Sequence, residues 1–243
     1  MNLRKDYRPT EYAFPTLESI LAVERVIGNF VGPHIYVGGA SVGFYVDDAG
    51  SEEMRPTDDV DVVVEVASEI ARINLDESLR RGGLVNDING PICRWILNGL
   101  KLDIMPSDSR ILGFANRWYP AAIQTAISIQ MGTLTIGIPN VAAFIATKIE
   151  AYADRGNKDF IGSSDFEDLV RIFDGCSFLC LEGQEASKDV LQFVTNTLRH
   201  WIGLRGFEDA LAAHLLDDGS YRRRQIVMDR IQALINLTKD YEL

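Results

Sequence analysis

Cysteine is scarce: the 243-residue chain has three, Cys93, Cys176 and Cys180. An odd count without a paired-knuckle spacing excludes a disulfide framework and points to a reducing compartment. Cys176 and Cys180 fall at helical spacing and, with His200 or His214, would be the candidate zinc set; buried thiols are the simpler expectation. Long apolar runs are absent too. None approaches the ~18 residues that a membrane span requires, and the opening MNLRKDYRPTEYAF lacks the apolar stretch of a secretory signal. The expectation is a soluble, cytoplasmic protein with no membrane partner. Positive charge is also short, with 24 Lys and Arg against 35 Asp and Glu and a net charge of −11. That excludes a protein that coats nucleic acid broadly, because nonspecific phosphate binding needs basic surface. Only local patches remain, Arg80–Arg81 and Arg222–Arg224, and basic residues near helix ends are more often solvated caps.

What is present suffices for a sizeable core, since 47% of the chain is apolar. The pattern is that of an α+β protein. It divides near Pro139 into a mixed lobe, residues 1–139, and a helical lobe, residues 140–243. In the first lobe Thr16 reads as an N-cap, and Leu17, Ile20, Leu21, Val23, Val26 and Ile27 form a helical stripe that stops near Gly32-Pro33. A strand at 35–38, a short helix from about Ala40, a polar loop at 49–57, a strand at 60–66 and a helix at 74–82 follow. Strands Pro91–Leu97 and Leu100–Met105 are joined by Asn98-Gly99, a dipeptide that favours the tight turn of a hairpin. After a helical stretch at 109–117, a second hairpin around Met131-Gly132-Thr133 completes the sheet. Helices at about 140–155, 165–174, 184–201, 206–216 and 219–238 make up the second lobe.

The chemistry is concentrated in three acids and two glycines. Residues i and i+2 of a strand share a face, so Asp59 and Asp61 point together while Val60, Val62 and Val64 enter the core. Asp103, between Leu102 and Ile104, points away from an otherwise apolar face and needs a partner or a metal. Convergent carboxylates suit a hard divalent cation: Mg²⁺, or Mn²⁺ as a substitute, takes one or two of them plus waters and phosphate oxygens. Upstream, Gly38-Gly39 at a strand end lets backbone N–H groups and the Ser41 hydroxyl approach a triphosphate. Asp47, Asp48, Asp58 and Asp87 read as solvated turn residues.

Gly38-Gly39-Ala40-Ser41, then Arg55-x-Thr57-x-Asp59-Val60-Asp61-Val62, then Leu102-Asp103-Ile104 resembles the hG[GS]…DhDh…hDh signature of the nucleotidyltransferase superfamily with the polymerase-β fold. The likeness covers about residues 16–140 and implies a mixed-sheet catalytic domain ahead of the helical one. Further on, Lys148 to Lys158 and Asp165-Phe-Glu-Asp168 resemble the "K…A…R…RDxxDL" pattern of AbiEii-like nucleotidyltransferases, the toxin component of toxin–antitoxin and phage-defence modules. That resemblance implies that Lys148 contacts nucleotide phosphates, and that Asp165 or Asp168 orders the helical lobe at the cleft. The chain departs from the pattern twice. The glycine-to-acid spacing is longer, which requires an inserted loop, and Ser164 stands where the family often has Arg.

The expected reaction is attack by an acceptor hydroxyl on the α-phosphate of an NTP, with release of pyrophosphate. Asp59, Asp61 and Asp103 would hold two Mg²⁺ ions, and Gly39, Ser41 and Lys148 the phosphates. The resemblance implies an RNA acceptor, tRNA first, and an antitoxin partner. The acidic balance favours instead a small hydroxylated acceptor, as used by antibiotic-modifying relatives. A third reading is an NTP- or partner-binding module without activity. GGASVG has the wrong glycine spacing for a dinucleotide-binding fold.

Overall fold

A computed structural model describes residues 2–4, 14–48, 55–156, 158–215 and 220–238. Most of the expected loop at 49–57 lies outside the described residues.

Among the described residues two sheets form, not one. The larger is mixed and five-stranded, in the order β2 (His34–Val37), β3 (Asp59–Val64), β6 (Leu100–Pro106), β5 (Arg94–Leu97), β4 (Val85–Asn86). Only β3 and β6 run parallel; the other pairs are antiparallel. The second hairpin, β7 (Ile127–Met131) and β8 (Leu134–Ile138), does not complete this sheet. It forms a separate three-stranded sheet with β1 (Asn2–Arg4), which pairs in parallel with β7.

The Asn98-Gly99 turn is present, with φ of 51° and 88° at the two residues. Both lie in the left-handed region that a type I′ hairpin turn demands, and Asn and Gly enter it most cheaply. This two-residue turn pairs Leu97 with Leu100 and sets the register back to Arg94 opposite Asp103.

Helix α1 (Phe14–Ile27) begins ahead of Thr16, which is therefore not its cap. Leu17, Ile20, Val23 and Ile27 of its stripe are fully buried. Helix α2 (Glu69–Arg81) starts earlier than its apolar pattern suggested because Ser68 caps it, accepting from Ala71 N–H. The helix expected at 109–117 is only the single turn α3 (Ser109–Leu112); the chain leaves it at Gly113, and a second short helix, α4 (Tyr119–Gln124), begins beyond that range.

After β8 the chain is helical: α5 (Val141–Arg155), α6 (Ser164–Gly175), α7 (Leu179–Gly183), α8 (Lys188–Ile202), α9 (Phe207–His214) and α10 (Ser220–Asn236). The five-residue α7 has no counterpart in the sequence expectation. Asn140 caps α5 by accepting from Ala143 N–H, and α5 is buried along most of its length. One continuous apolar core runs from the strands into these helices. Asp47 and Asp48, expected as solvated turn residues, instead join the two halves. Both their N–H groups donate to Gly175 O, Asp47 accepts from Ser177, and Asp48 pairs with Arg223 and Arg230. Among the described residues no helix is long and apolar enough to cross a membrane.

Candidate active site

The alternation of β3 decides where its acids go. Val60 and Val62 are buried on one face, with Leu102 and Ile104 of β6 beside them. That face is covered by α1 and α2: Glu24 of α1 accepts from the Tyr36 hydroxyl, and Leu75 and Leu79 of α2 line a crevice with Trp95 and Ile104. Burying each such aliphatic side chain stabilises the fold by about 1.5–3 kcal/mol, which fixes the pleat. Asp59 and Asp61 are left on the opposite face. Asp61 is the register partner of Asp103 on parallel β6, so all three acids share that face.

Arg94, which the motif analysis did not single out, enters the same cluster from β5. Its Nε donates to Asp103 Oδ1 at 2.8 Å and its Nη2 to Asp103 Oδ2 at 2.7 Å, while Nη2 also reaches Asp59 Oδ2 at 3.1 Å. Both Asp103 oxygens are thus held by one guanidinium fork. The signal for Arg94 was present in the hairpin: counting back from Asn98-Gly99 places residue 94 opposite 103.

Asp61 is the acid left over. Among the described residues no hydrogen bond or ion pair is made to its carboxylate. Burial, with Asp59 and Asp103 beside it, pushes its pKa up to about 7, against a smaller opposing pull from Lys148. The carboxylate lies under Gly38, whose φ of 73° is left-handed. A Cβ on Gly38 would stand 1.8 Å from Asp61 Oδ2. An unpaired acid among like charges, overlain by a glycine with no side chain, is the kind of group that a divalent cation would use. Among the described residues no group of three His, Cys, Asp or Glu side chains is arranged to hold a metal ion as it stands.

A cavity of about 460 Å³ opens over Asp61 and Asp103. Gly38, Cys93 and Tyr119 line it from the sheet side, and Lys148, Arg155 and Asp165 from the helices. Burial and the neighbouring Asp103 push the Cys93 thiol up to about 11, so it is inert at neutral pH.

Lys148 is buried at the far wall. Its Nζ donates to Asp165 Oδ1 at 3.1 Å and to Asp168 Oδ2 at 2.5 Å. Burial disfavours the ammonium, but Asp168 and Asp165 outweigh it and raise its pKa above the ordinary lysine value. Asp165 is lowered: burial opposes ionisation, and Lys148 together with the Arg155 fork at 2.8 and 2.9 Å overcomes it. Arg55, just before β3, approaches Asp168 at 3.7 Å and Glu167 at 3.5 Å. The segment leading into β3 is thereby tied to α6.

The glycine turn differs from its expectation. Gly39–Phe44 is a six-residue 3₁₀ helix and not the start of an α-helix. Ser41 is fully buried, and its hydroxyl donates to Gly38 O at 3.0 Å. That hydroxyl closes the turn and is not presented to the cavity. Gly39 packs against Thr57, whose Cγ2 would lie 2.7 Å from an added Cβ. Asp87 caps its own turn through Asn89 N–H, as expected. The cysteines have free thiols and form no metal cluster among the described residues. Arg222–Arg224 is not a uniform basic patch, since Arg223 is engaged by Asp48 and Asp174.

No protein-family model matches this sequence, and no curated protein matches it.

Proposed function

We propose that the chain is a Mg²⁺-dependent nucleotidyltransferase with a polymerase-β-type catalytic domain, transferring NMP from an NTP to an acceptor hydroxyl. The observation that carries the reading is the meeting of Asp61 and Asp103 at one register level of parallel β3 and β6, with Asp59 on the same face and a ligand-sized cavity above. Strand β3 supplies two carboxylates at fixed spacing and β6 the third, a donor set that could hold cations for phosphoryl transfer.

Asp59, Asp61 and Asp103 would hold the cations, which when bound neutralise phosphate charge and lower the barrier to deprotonating the acceptor hydroxyl. Gly38 keeps the approach to Asp61 clear. A water in the cavity, or Asp103 once Arg94 has moved off it, would accept the proton of the attacking hydroxyl as the hydroxyl oxygen bonds to the α-phosphorus and the bond to the β-phosphate bridge breaks, releasing pyrophosphate. Arg155, two-thirds exposed at the cavity wall, is better placed than Lys148 to meet phosphate oxygens, because its fork retains N–H groups beyond those given to Asp165. Lys148 contributes mainly by holding Asp165 and Asp168, and through them α6, against the cleft.

The resemblance to AbiEii-like toxins supports RNA, tRNA first, as the acceptor, a cytoplasmic setting and an antitoxin partner. One observation favours a second reading, a small cationic hydroxylated acceptor: Asp154 lines the same cavity as Asp61 and Asp103, together with Glu150, which Arg117 already pairs at 2.9 Å. Incubation with Mg²⁺ and each α-labelled NTP, with total tRNA or with aminoglycoside-type polyols, separates the two. Label on tRNA supports the first and label on the polyol the second; label on neither contradicts both.

A further inference from the structure

Arg94 has no assigned part in the chemistry above, yet it is the most fully engaged cation at the acids. The hairpin turn fixes its register against Asp103, and its guanidinium spans two of the three carboxylates through hydrogen bonds of 2.7, 2.8 and 3.1 Å. Its side chain is still about one-fifth exposed, so the group borders solvent. Asp103 itself is nearly buried, and a carboxylate in that position is seldom left without a counter-charge. The oxygens that would bind a divalent ion at Asp103 are the same oxygens that accept from Arg94. Each of those oxygens keeps a second lone pair, but a guanidinium fork and a divalent ion on the same carboxylate set two positive charges close together, so each weakens the hold of the other.

We propose that Arg94 is the resident counter-cation of this cluster, one that competes with divalent ions for Asp103 and Asp59 and so sets how tightly the chain binds them. The inference rests on reading the three acids as a cation site. In the cation-free protein the guanidinium holds Asp59 and Asp103 at their spacing. Ion binding works against its charge and favours its release, and Asp61, which it does not touch, is the place where an ion first engages. A guanidinium released in this way retains the planar fork that suits phosphate oxygens.

The test is Mn²⁺ binding to the whole chain, followed by the loss of the free-ion electron paramagnetic resonance signal, without nucleotide. Removing a positive charge adjacent to the ligands in R94Q should tighten Mn²⁺ binding by about tenfold or more. Millimolar guanidinium added to R94A should weaken it again, whereas equal ionic strength of NaCl should not. D61N in the R94Q background should remove the gained affinity. A purely structural role predicts the opposite sign, because an Arg94 that only shapes the site would weaken ion binding when lost. Unchanged or weaker binding in R94Q, or no effect of guanidinium on R94A, overturns the proposal while leaving the wild-type Mn²⁺ site standing. Absence of Mn²⁺ binding in wild type, R94Q and R94A together overturns this proposal and the cation-site reading beneath it. Circular dichroism and thermal melting of each variant show that the fold is retained; R94K, which keeps charge but not the fork, should give intermediate affinity if either truncation misfolds.

Discussion

Gly38 closes directly over Asp61: a Cβ at Gly38 would stand 1.8 Å from Asp61 Oδ2, at a φ of +73° that disfavours any side chain. The glycine therefore sets the position of the carboxylate as well as the turn. Gly38→Ala should lose about 1–2 kcal/mol of stability from the backbone conformation, with a further loss as Asp61 is pushed aside. Its Mn²⁺ affinity should fall more than its melting temperature would suggest. A variant that binds Mn²⁺ as wild type does would show that Asp61 is not at the ion site.

The Lys148–Asp165–Asp168 group is a buried network in which each charge depends on the others. Lys148→Met leaves Asp168 with only the more distant Arg55, and breaking a buried pair from one side costs about 3–5 kcal/mol. Lys148→Met with Asp168→Asn should recover part of that loss, because the uncompensated carboxylate is gone. Denaturant unfolding of the single and double variants measures the difference. If the single variant unfolds at the wild-type midpoint, the network is not holding α6.

A pH dependence follows from His34. Its Nδ1 faces Gly32 O at 2.9 Å and its Nε2 faces Glu24 Oε2 at 2.8 Å, two acceptors that call for two N–H donors and hence the imidazolium. Burial opposes that charge, but the Glu24 and Gly32 hydrogen bonds outweigh it and raise the His34 pKa. A raised folded pKa stabilises the protein fully below the unfolded value of about 6.5 and progressively less as pH rises through the folded value. His34→Gln should therefore cost roughly 1–3 kcal/mol near pH 6 and distinctly less at pH 9. Equal losses at both pH values, in thermal melts, would show that the imidazolium contributes nothing.

How much was legible in the sequence differs from element to element. Local signals worked well: Asn98-Gly99 needed positive φ at both positions, and β3 alternated acids with valines, so turn, face and convergence followed from adjacent residues. Nonlocal pairing did not. Strand β1 is three residues, Asn2–Arg4, too short to show a pattern, and its parallel pairing with β7 joins residues more than a hundred positions apart, so the second sheet left no local trace. Asp48 looked like a turn acid because its partners, Arg223 and Arg230, lie at the other end of the chain. Ser41 matched a phosphate-binding pattern, but whether its hydroxyl faces a ligand or Gly38 O depends on the 3₁₀ geometry that follows. Lys148 was found by resemblance; that its charge is already taken by two aspartates is a property of the packed helices.

The most direct test of the central claim compares wild type with Asp61→Asn and Asp103→Asn in transfer of α-labelled NMP to total tRNA and to small polyols, in the presence of Mg²⁺. The account predicts acceptor labelling and pyrophosphate release by wild type, and loss of both by at least about a hundredfold in either variant with the fold intact by circular dichroism. Labelling that survives either substitution at near wild-type rate would contradict the account, as would a wild-type protein that labels no acceptor and releases no pyrophosphate.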